Sequence, residues 1–280
     1  MLLNRYTRKT LFRELTLIAL AAFWLIPFYF LVVVSLKPQQ EVFTGDPVAF
    51  PKHPTLGNYA EAWRGTGVVT LSDALKSSLI ITVGSVLTLI VLGSICAYAL
   101  GRRKDRIGTG LYLLFVIGII LPFQLGIVPA YVALREMHLS GTYQGMILLY
   151  TSLLMPLTVF LYTGFVRTLP RDYEEAAYVD GASRRRTFIK VVFPLLSPVT
   201  ATVAVLTALI IWNDFFVQLI FLAGGKRQTM PVAVYSFVGE FAAQWHLIFA
   251  AVLVSIAPLL LFYVFAQRAL IRGFTGGIKS

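Results

Sequence analysis

The amino-acid sequence predicts an all-α, polytopic membrane protein with six transmembrane helices and both termini in the cytoplasm. Hydrophobic residues make up 58% of the chain and charged residues only 13%, whereas about a quarter of the residues in soluble domains are charged. Six apolar runs are long enough to cross a bilayer as helices, which takes about 20 residues. The Lys and Arg residues lie mostly between those runs, as they do in membrane proteins.

The six apolar runs are predicted to be helices because a backbone in lipid must satisfy its own hydrogen bonds, and the sequence shows no alternating barrel pattern. The runs cover residues 16–36, 75–100, 109–134, 141–166, 199–222 and 246–266. Among the prolines inside them, Pro27, Pro129 and Pro156 predict kinks. The resulting domain organisation is an N-terminal tail at 1–15, a transmembrane domain at 16–266 and a C-terminal tail at 267–280.

The positions of the basic residues predict the orientation, because cytoplasmic loops carry an excess of Lys and Arg. Of the 24 Lys and Arg residues, 17 lie in the two tails and in the loops after the second and fourth runs. Both tails and these loops are therefore expected in the cytoplasm. The largest loop on the other side contains "PTLGNYAEAW" and predicts a short helix that ends near Trp63.

The loop after the fourth run, residues 167–198, contains the polar stretch "EEAAYVDGASRRRTFIKVVFPLLSP". Pro170 suits a first helical position, and carboxylates at 172, 174 and 175 suit the positive end of a helix dipole. Gly181 is expected to break this helix. A basic helix over 184–190 is expected to follow and to end before Pro194 and Pro198.

Ala176 and Ala177 give the first of these helices a small surface that permits close approach, while nearby charges would fix the orientation of a partner protein. The pattern therefore favours docking into a groove on another protein. For the arginines Arg184–Arg186 taken alone, a solvated loop or contact with lipid headgroups explains the charge as well.

The sequence predicts no catalytic site, no metal site and no bound cofactor. The C-terminal "GFTGGIKS" has the composition of a phosphate-binding loop, but Ile278 separates Gly277 from Lys279 and no helix can follow. The three histidines occur singly, without helical metal-ligand spacing. The lone Cys96 lies in an apolar run and suits packing. Because the basic residues follow topology, no nucleic-acid partner is expected.

The polar stretch resembles the EAA loop in the membrane subunits of ATP-binding-cassette importers, through Glu175-Ala176-Ala177, Asp180-Gly181-Ala182 and Phe193-Pro194-Leu195. Other segments are similar to the carbohydrate-uptake branch of these permeases: "SLKP", "PTLGNYAEAW", "WNDF" and "QRALIRGFTGGIKS". The resemblance covers nearly the whole chain. It implies the type I importer permease fold and a place in the plasma membrane of a prokaryote.

The resemblance also implies partners and a mechanism. The partners would be a second, different permease subunit, two ATP-binding subunits that hold ATP and Mg, and an extracytoplasmic solute-binding protein, all in contact with membrane lipid. ATP-driven closure of the ATPase subunits would rock the membrane subunits between two packings. The residues implied in coupling to the ATPase are Glu174, Glu175, Ala176, Ala177, Asp180, Gly181, Ala182 and Pro194.

A few polar residues inside the apolar runs are candidates for a substrate pathway. Asp214 is an acidic residue within an apolar run, and ionisable groups in membranes usually face a pathway or a partner. With Asn213 it could bind sugar hydroxyls; the alternative is a helix cap or an interhelical hydrogen bond. Three further candidates could equally join helices: Gln124, Tyr150 and Gln218.

Two other function classes stay open from the residues alone. A self-sufficient secondary carrier could use Asp214 as an ion relay, although such carriers commonly show two related halves and this chain shows none. A membrane receptor or scaffold could use the polar stretch to bind a signalling partner. Within the importer class, a non-sugar substrate such as glycerol 3-phosphate is an alternative to a sugar or oligosaccharide.

Overall fold

The computed structural model describes residues 8–46, 48–65, 69–222, 225–238 and 243–276, and the regular structure in them is almost entirely helical. In chain order the helices are α1 (Arg8–Leu36), α2 (Gln39–Thr44), α3 (Gly57–Arg64), α4 (Leu71–Arg102), α5 (Arg106–Ile120), α6 (Ile127–Glu136), α7 (Tyr143–Thr168), α8 (Asp172–Val179), α9 (Arg184–Thr187), α10 (Phe193–Leu195), α11 (Ser197–Asn213), α12 (Phe216–Leu222), α13 (Met230–Tyr235) and α14 (Trp245–Gly276). A 3₁₀ turn, Phe123–Gly126, precedes α6, and a π-helical turn, Phe188–Val192, joins α9 to α10.

Four helices, α1, α4, α7 and α14, are long and apolar enough to cross a membrane, and two bent helix pairs could add a span each. The four helices confirm the first, second, fourth and sixth predicted runs. Both α1 and α7 continue through their prolines, Pro27 and Pro156. Helix α14 extends to Gly276, beyond the predicted boundary at 266, while residues 1–7 and 277–280 of the predicted tails lie outside the described residues.

The prediction of one continuous helix for the third run is wrong. Helix α5 ends at Ile120, and the segment from Phe123 onward is bent from it by 98°. Leu121 is extended, with φ −67° and ψ 128°, because the ring of Pro122 disfavours helical geometry in the residue before it. The kink expected at Pro129 is also misplaced: this proline lies in the first turn of α6, where helices tolerate it.

The fifth run is also not one helix. Helix α11 ends at Asn213, and Asp214 is extended, with φ −71° and ψ 120°, before α12 begins at Phe216. The Oδ1 atom of Asp214 accepts a hydrogen bond of 3.2 Å from the backbone N–H of Val217. Val217 is the second residue of α12, and a carboxylate that accepts from a backbone N–H in the first turn of a helix caps that helix. The acidic residue therefore starts a new helix within an apolar run.

The basic helix of the polar stretch does not end before Pro194. Helical structure continues from α9 through the π-helical turn and α10 to Leu195, where the direction changes by 72° into α11. Pro194 has no N–H to donate and its ring would clash with the carbonyl four residues earlier. The wider π-helical turn before it relieves that clash.

The described residues divide into two compact units: one comprises those that fall within Met1–Leu71 and Val234–Ile256, and the other those that fall within Ser72–Ala233 and Ala257–Ser280. In the first unit, the segment "SLKP" at the end of α1 is bonded to the start of α3. The amide of Asn58 donates to the carbonyls of Ser35 (2.7 Å) and Lys37 (2.9 Å), and the hydroxyls of Ser35 and Tyr59 are 2.7 Å apart. Asn58 thus joins two segments that are 21 or more residues apart in sequence.

Replacing Asn58 with alanine is expected to lower the melting temperature of the purified protein. The change removes two hydrogen bonds to backbone carbonyls around a side chain that is 5% exposed, which costs about 1–3 kcal/mol. Thermal unfolding in detergent measures the effect. Gln39→Ala, on the exposed surface of α2, is the matched control and should leave the melting temperature unchanged. Equal melting temperatures for both variants would contradict the assigned role.

Two buried apolar clusters lie in the part of the second unit that the structure describes. One surrounds Met146, Tyr150 and Phe221, and the other joins α4, α7 and α11 around Val159, Tyr162 and Leu196. Helices α4 and α7 approach closely because glycine faces the contact: a Cβ added at position 93 would lie 2.3 Å from the Cγ2 atom of Thr158. Small residues at such contacts are the usual means of helix packing in membranes.

Candidate functional site

The polar stretch folds into a helix, a turn and a second helix, as predicted. Helix α8 begins at Asp172, two residues after Pro170, and has three carboxylates in its first turn, which complement the helix dipole. Gly181 has φ +76°, a conformation that glycine adopts readily and other residues rarely adopt.

The turn at Gly181 is a Schellman motif. The N–H of Ala182 donates to the carbonyl of Ala177 over 2.9 Å, and the N–H of Gly181 donates to the carbonyl of Tyr178 over 3.0 Å. These two bonds satisfy carbonyls at the end of α8 that have no partner within the helix. Ser183 then caps α9, since its hydroxyl accepts from the N–H of Arg186 over 3.4 Å. The turn is therefore fixed by backbone geometry and not only by loop length.

Glu174 is held inside the chain by the end of α4. Its Oε1 atom lies 2.6 Å from Nη2 of Arg102, and its Oε2 atom accepts a hydrogen bond of 2.7 Å from the hydroxyl of Tyr98. Arg102 also donates from Nη1 to the carbonyl of Leu169 over 3.0 Å. The side chains of the pair are 16% and 10% exposed, so the ion pair is largely desolvated. Helix α8 is thus anchored to the end of a long apolar helix.

The other residues expected to couple to an ATPase are less buried than Glu174. Glu175, Ala176, Asp180, Gly181 and Pro194 are exposed, while Ala177 and Ala182 are half-buried. Val179, at the end of α8, is 88% exposed. The segment Asp172–Ala182, which we call the coupling segment, therefore has an anchored inner face and an outer face that combines small, apolar and acidic groups.

Four of the five predicted pathway residues line one cavity of the second unit. The cavity has a volume of about 970 Å³ and is mostly apolar. Its polar lining comes from Gln124, Tyr150, Ser152, Asn213 and Asp214. Both helix breaks, at 121–122 and at 214–215, contribute residues to its wall. Irregular backbone at membrane depth is tolerated where it lines a cavity, so the position of both breaks is consistent with a pathway.

Asp214 makes both structural contacts that were the alternative to a substrate-binding role, and it also lines the cavity. It caps α12, and its Oδ2 atom accepts a hydrogen bond of 2.8 Å from the hydroxyl of Tyr150 on α7. Tyr150 is 2% exposed. Asn213 is exposed, and its amide donates to the carbonyl of Leu209 in its own helix over 2.9 Å. Gln124 is exposed on the 3₁₀ turn.

Gln218 is not among the residues that line this cavity. Its amide nitrogen donates to the carbonyl of Ile211 over 2.7 Å, and its amide oxygen accepts from the hydroxyl of Thr229. The carbonyl of Ile211 is one of those left free when α11 ends. Gln218 therefore stabilises the break between α11 and α12 from the buried side.

The sequence did not indicate the partners of Glu174. Arg102 is one of a run of basic residues and was interpreted as a topology signal, and Tyr98 is one aromatic residue in an apolar run. They lie 72 and 76 positions before Glu174, so no local pattern connects them. Among the described residues there is no group of three or more His, Cys, Asp and Glu that could hold a metal ion.

Comparison with known proteins gives consistent matches. Residues 89–276 match the family model described as "Binding-protein-dependent transport system inner membrane component". The chain is 36% identical over 276 residues, 98% of both chains, to the melibiose/raffinose/stachyose import permease protein MelC of Bacillus subtilis (strain 168). It is 34% identical over 260 residues, 93% of both chains, to the probable starch degradation products transport system permease protein AmyC of Thermoanaerobacterium thermosulfurigenes.

A solved structure shows the same fold. A chain from the crystal structure of a bacterial ABC transporter involved in the import of the acidic polysaccharide alginate superposes with a TM-score of 0.79. The match covers 94% of this chain and 98% of the other at 20% identity. The family match and the two relatives confirm the resemblance of the sequence to importer permeases. The chain belongs to the family of inner-membrane components of binding-protein-dependent transport systems.

Proposed function

We propose that this chain is the membrane subunit of an ATP-driven importer and forms half of the pathway for a sugar or oligosaccharide. The observation that carries the proposal is the coupling segment, a preformed helix and turn anchored to α4 through Arg102 and Glu174. Relatives whose names specify sugars or starch products support the substrate class. ATP and Mg would be bound by two partner subunits, and an extracytoplasmic binding protein would deliver the substrate.

In this proposal the chain crosses the plasma membrane of a prokaryote six times. Each bent pair counts as one span. Both termini lie in the cytoplasm because this orientation places 17 of the 24 basic residues on the cytoplasmic side. The coupling segment lies on the cytoplasmic side under this orientation. The transmembrane domain would extend over 16–266, with the coupling loop at 167–198.

The coupling role is divided between the two faces of α8. Glu174 fixes the helix to its own subunit, whereas Glu175, Ala176, Val179 and Asp180 form the surface offered to the ATPase. Small side chains permit close approach and exposed charges orient the docking. An anchored helix can transmit a displacement to α4, because the ion pair and the carbonyl bond of Leu169 act on the same arginine.

The cavity supplies the features of a sugar path. Its wall is largely apolar and presents an amide, a carboxylate and hydroxyls that can exchange hydrogen bonds with a polyol. Asp214 is held by two donors, Tyr150 and the N–H of Val217, so its carboxylate is positioned as a fixed acceptor. That arrangement suits substrate binding better than an ion relay, which needs a group that is free to change partners.

Replacing Tyr150 with phenylalanine is expected to reduce uptake by about tenfold while ATP hydrolysis by the assembled transporter is retained. The change removes the donor that orients Asp214, and a hydrogen bond to a charged group is worth about 1.5–3 kcal/mol. Uptake by proteoliposomes containing the full transporter measures the effect. Tyr131→Phe, on α6, is the matched control. Equal uptake by both variants would remove Asp214 from the proposed pathway.

The proposal is tested by purifying the tagged chain in mild detergent and identifying what co-purifies. An ATPase subunit, a second permease and a solute-binding protein are expected, and the reconstituted set should transport a sugar at the cost of ATP. The chain alone should neither hydrolyse ATP nor transport. ATP-independent transport by the chain alone would reject the proposal. Binding of glycerol 3-phosphate but no sugar by the co-purified binding protein would reject the substrate class alone.

A further inference from the structure

A basic pocket of the second unit is separate from the cavity at Asp214 and shares Arg102 with the anchor of the coupling segment. It has a volume of about 760 Å³ and lies among the end of α4, the start of α5 and the end of α7. Five cationic side chains line it: Arg102, Arg103, Lys104, Arg167 and Arg171. Thr109, Tyr112 and Leu113 contribute the wall formed by α5.

The pocket has more cationic side chains than carboxylates that pair with them. Arg102 is paired with Glu174, and Arg103 with Asp105 over 2.6 Å. The hydrogen bond from Arg103 lowers the pKa of the Asp105 carboxyl, so this carboxylate is ionised at neutral pH. The other three cations line the pocket without a carboxylate partner among the described ion pairs. The pocket thus has a net charge that suits an anion.

The two arginines without a carboxylate partner among the described residues, Arg167 and Arg171, are held in place by contacts that do not neutralise their charge. The guanidinium of Arg167 lies 4.4 Å from the centre of the Tyr112 ring, and Nη2 of Arg171 donates a hydrogen bond of 2.9 Å to the carbonyl of Arg102. Neither an aromatic ring nor a carbonyl neutralises a full positive charge. These contacts orient the guanidinium groups before an anion arrives, which lowers the entropy cost of binding it.

The pocket continues into an apolar surface on α5. Thr109, Leu113 and Ile117 follow one another at intervals of four residues, so they lie on one face of the helix. The first two line the pocket, and Leu113 and Ile117 are 51% and 52% exposed. A phosphate group in the pocket would therefore lie at the head of an apolar strip that an acyl chain can cover.

We infer that this pocket binds the headgroup phosphate of an anionic glycerophospholipid, with an acyl chain along Leu113 and Ile117. Basic pockets between transmembrane helices on the cytoplasmic side are typical sites for anionic lipid headgroups. The cytoplasmic location rests on the orientation proposed above. Because Arg102 both lines the pocket and anchors Glu174, the bound lipid lies beside the base of the coupling segment.

The experiment compares lipid binding by two variants of the assembled transporter, each lacking two basic residues. Lys104→Gln with Arg167→Gln removes charge from the pocket, and Arg13→Gln with Arg106→Gln removes equal charge from residues that do not line it. Native mass spectrometry counts phosphatidylglycerol and phosphatidylcholine bound per complex, with inorganic phosphate and glycerol 3-phosphate as competitors. In detergent solution both ends of the complex are accessible to lipid, so the result does not depend on the orientation in the membrane or on transport.

The wild type and the control pair should retain phosphatidylglycerol over phosphatidylcholine. The pocket pair should bind phosphatidylglycerol about thirtyfold more weakly, because each of the two basic residues removed contributes about 1 kcal/mol. If the pocket pair does not assemble, Lys104→Gln alone should give a several-fold loss. Equal phosphatidylglycerol binding by pocket and control variants would overturn the inference. Displacement of the lipid by millimolar inorganic phosphate would also overturn it, since the site would then belong to a soluble anion.

Discussion

Replacing Arg102 with methionine is expected to abolish substrate uptake and to prevent stable assembly with the ATPase subunit. The change leaves the Glu174 carboxylate, whose side chain is 10% exposed, without its cationic partner. Breaking a buried ion pair by removing one member costs about 3–5 kcal/mol. Helix α8 also loses the arginine that bonds to Leu169 at its base. The coupling segment should therefore detach from α4. Pull-down of the ATPase by the tagged variant and uptake in proteoliposomes measure the effect.

A double substitution separates anchoring from general damage. Arg102→Met combined with Glu174→Met replaces the ion pair with apolar side chains of similar size, which is often neutral for stability. The double variant should regain the melting temperature of the wild type and at least part of the assembly. Arg103→Met, whose partner Asp105 is on the surface, is the matched control and should assemble normally. Assembly of Arg102→Met at the wild-type level would show that the anchor is dispensable.

Replacing Gly181 with valine is expected to uncouple ATP hydrolysis from uptake or to prevent assembly. A left-handed backbone costs about 1–2 kcal/mol for a residue with a side chain, and more for a β-branched one. No neighbouring atom lies within 4 Å of the added Cβ, so the effect comes from the backbone of the turn. The Schellman bonds of Ala182 and Gly181 should be lost, and the direction of the second helix with them.

Gly141→Val is a matched control for this strain. Gly141 has φ +67°, and a Cβ added there also meets nothing within 4 Å, but the residue lies outside the coupling segment. Both variants should lose similar stability in thermal unfolding, whereas only Gly181→Val should change the ratio of sugar transported to ATP hydrolysed. Similar ratios for the two variants would assign the effect to stability alone and remove Gly181 from the coupling mechanism.

The sequence predicted the helical content and the four long helices because apolar runs of this length have few alternatives in a membrane. The turn at Gly181 was predictable for a similar reason, since a positive φ favours glycine. The two broken runs were missed. Hydropathy averages over a window, and the break at Leu121 depends on one proline while the break at Asp214 depends on one cap.

The candidate sites were predicted less completely. The sequence motif indicated the coupling segment, but it did not distinguish Glu174, which is buried, from Glu175, which is exposed. That distinction depends on Arg102 and Tyr98, which are remote in sequence. Similarly, Gln124 and Asn213 meet at one cavity only because two separate helix breaks lie there, and no local pattern records that meeting.

The measurement that tests the central claim most directly is a cysteine accessibility and crosslinking assay at Val179, the 88% exposed tip of α8. In a background in which the chain's single cysteine is replaced by Cys96→Ser, Val179→Cys should crosslink to the ATPase subunit in the assembled transporter. Assembly should also protect it from a hydrophilic maleimide that labels the isolated chain. A cysteine that stays fully reactive and uncrosslinked in the assembled transporter, with and without ATP, would contradict the proposed coupling.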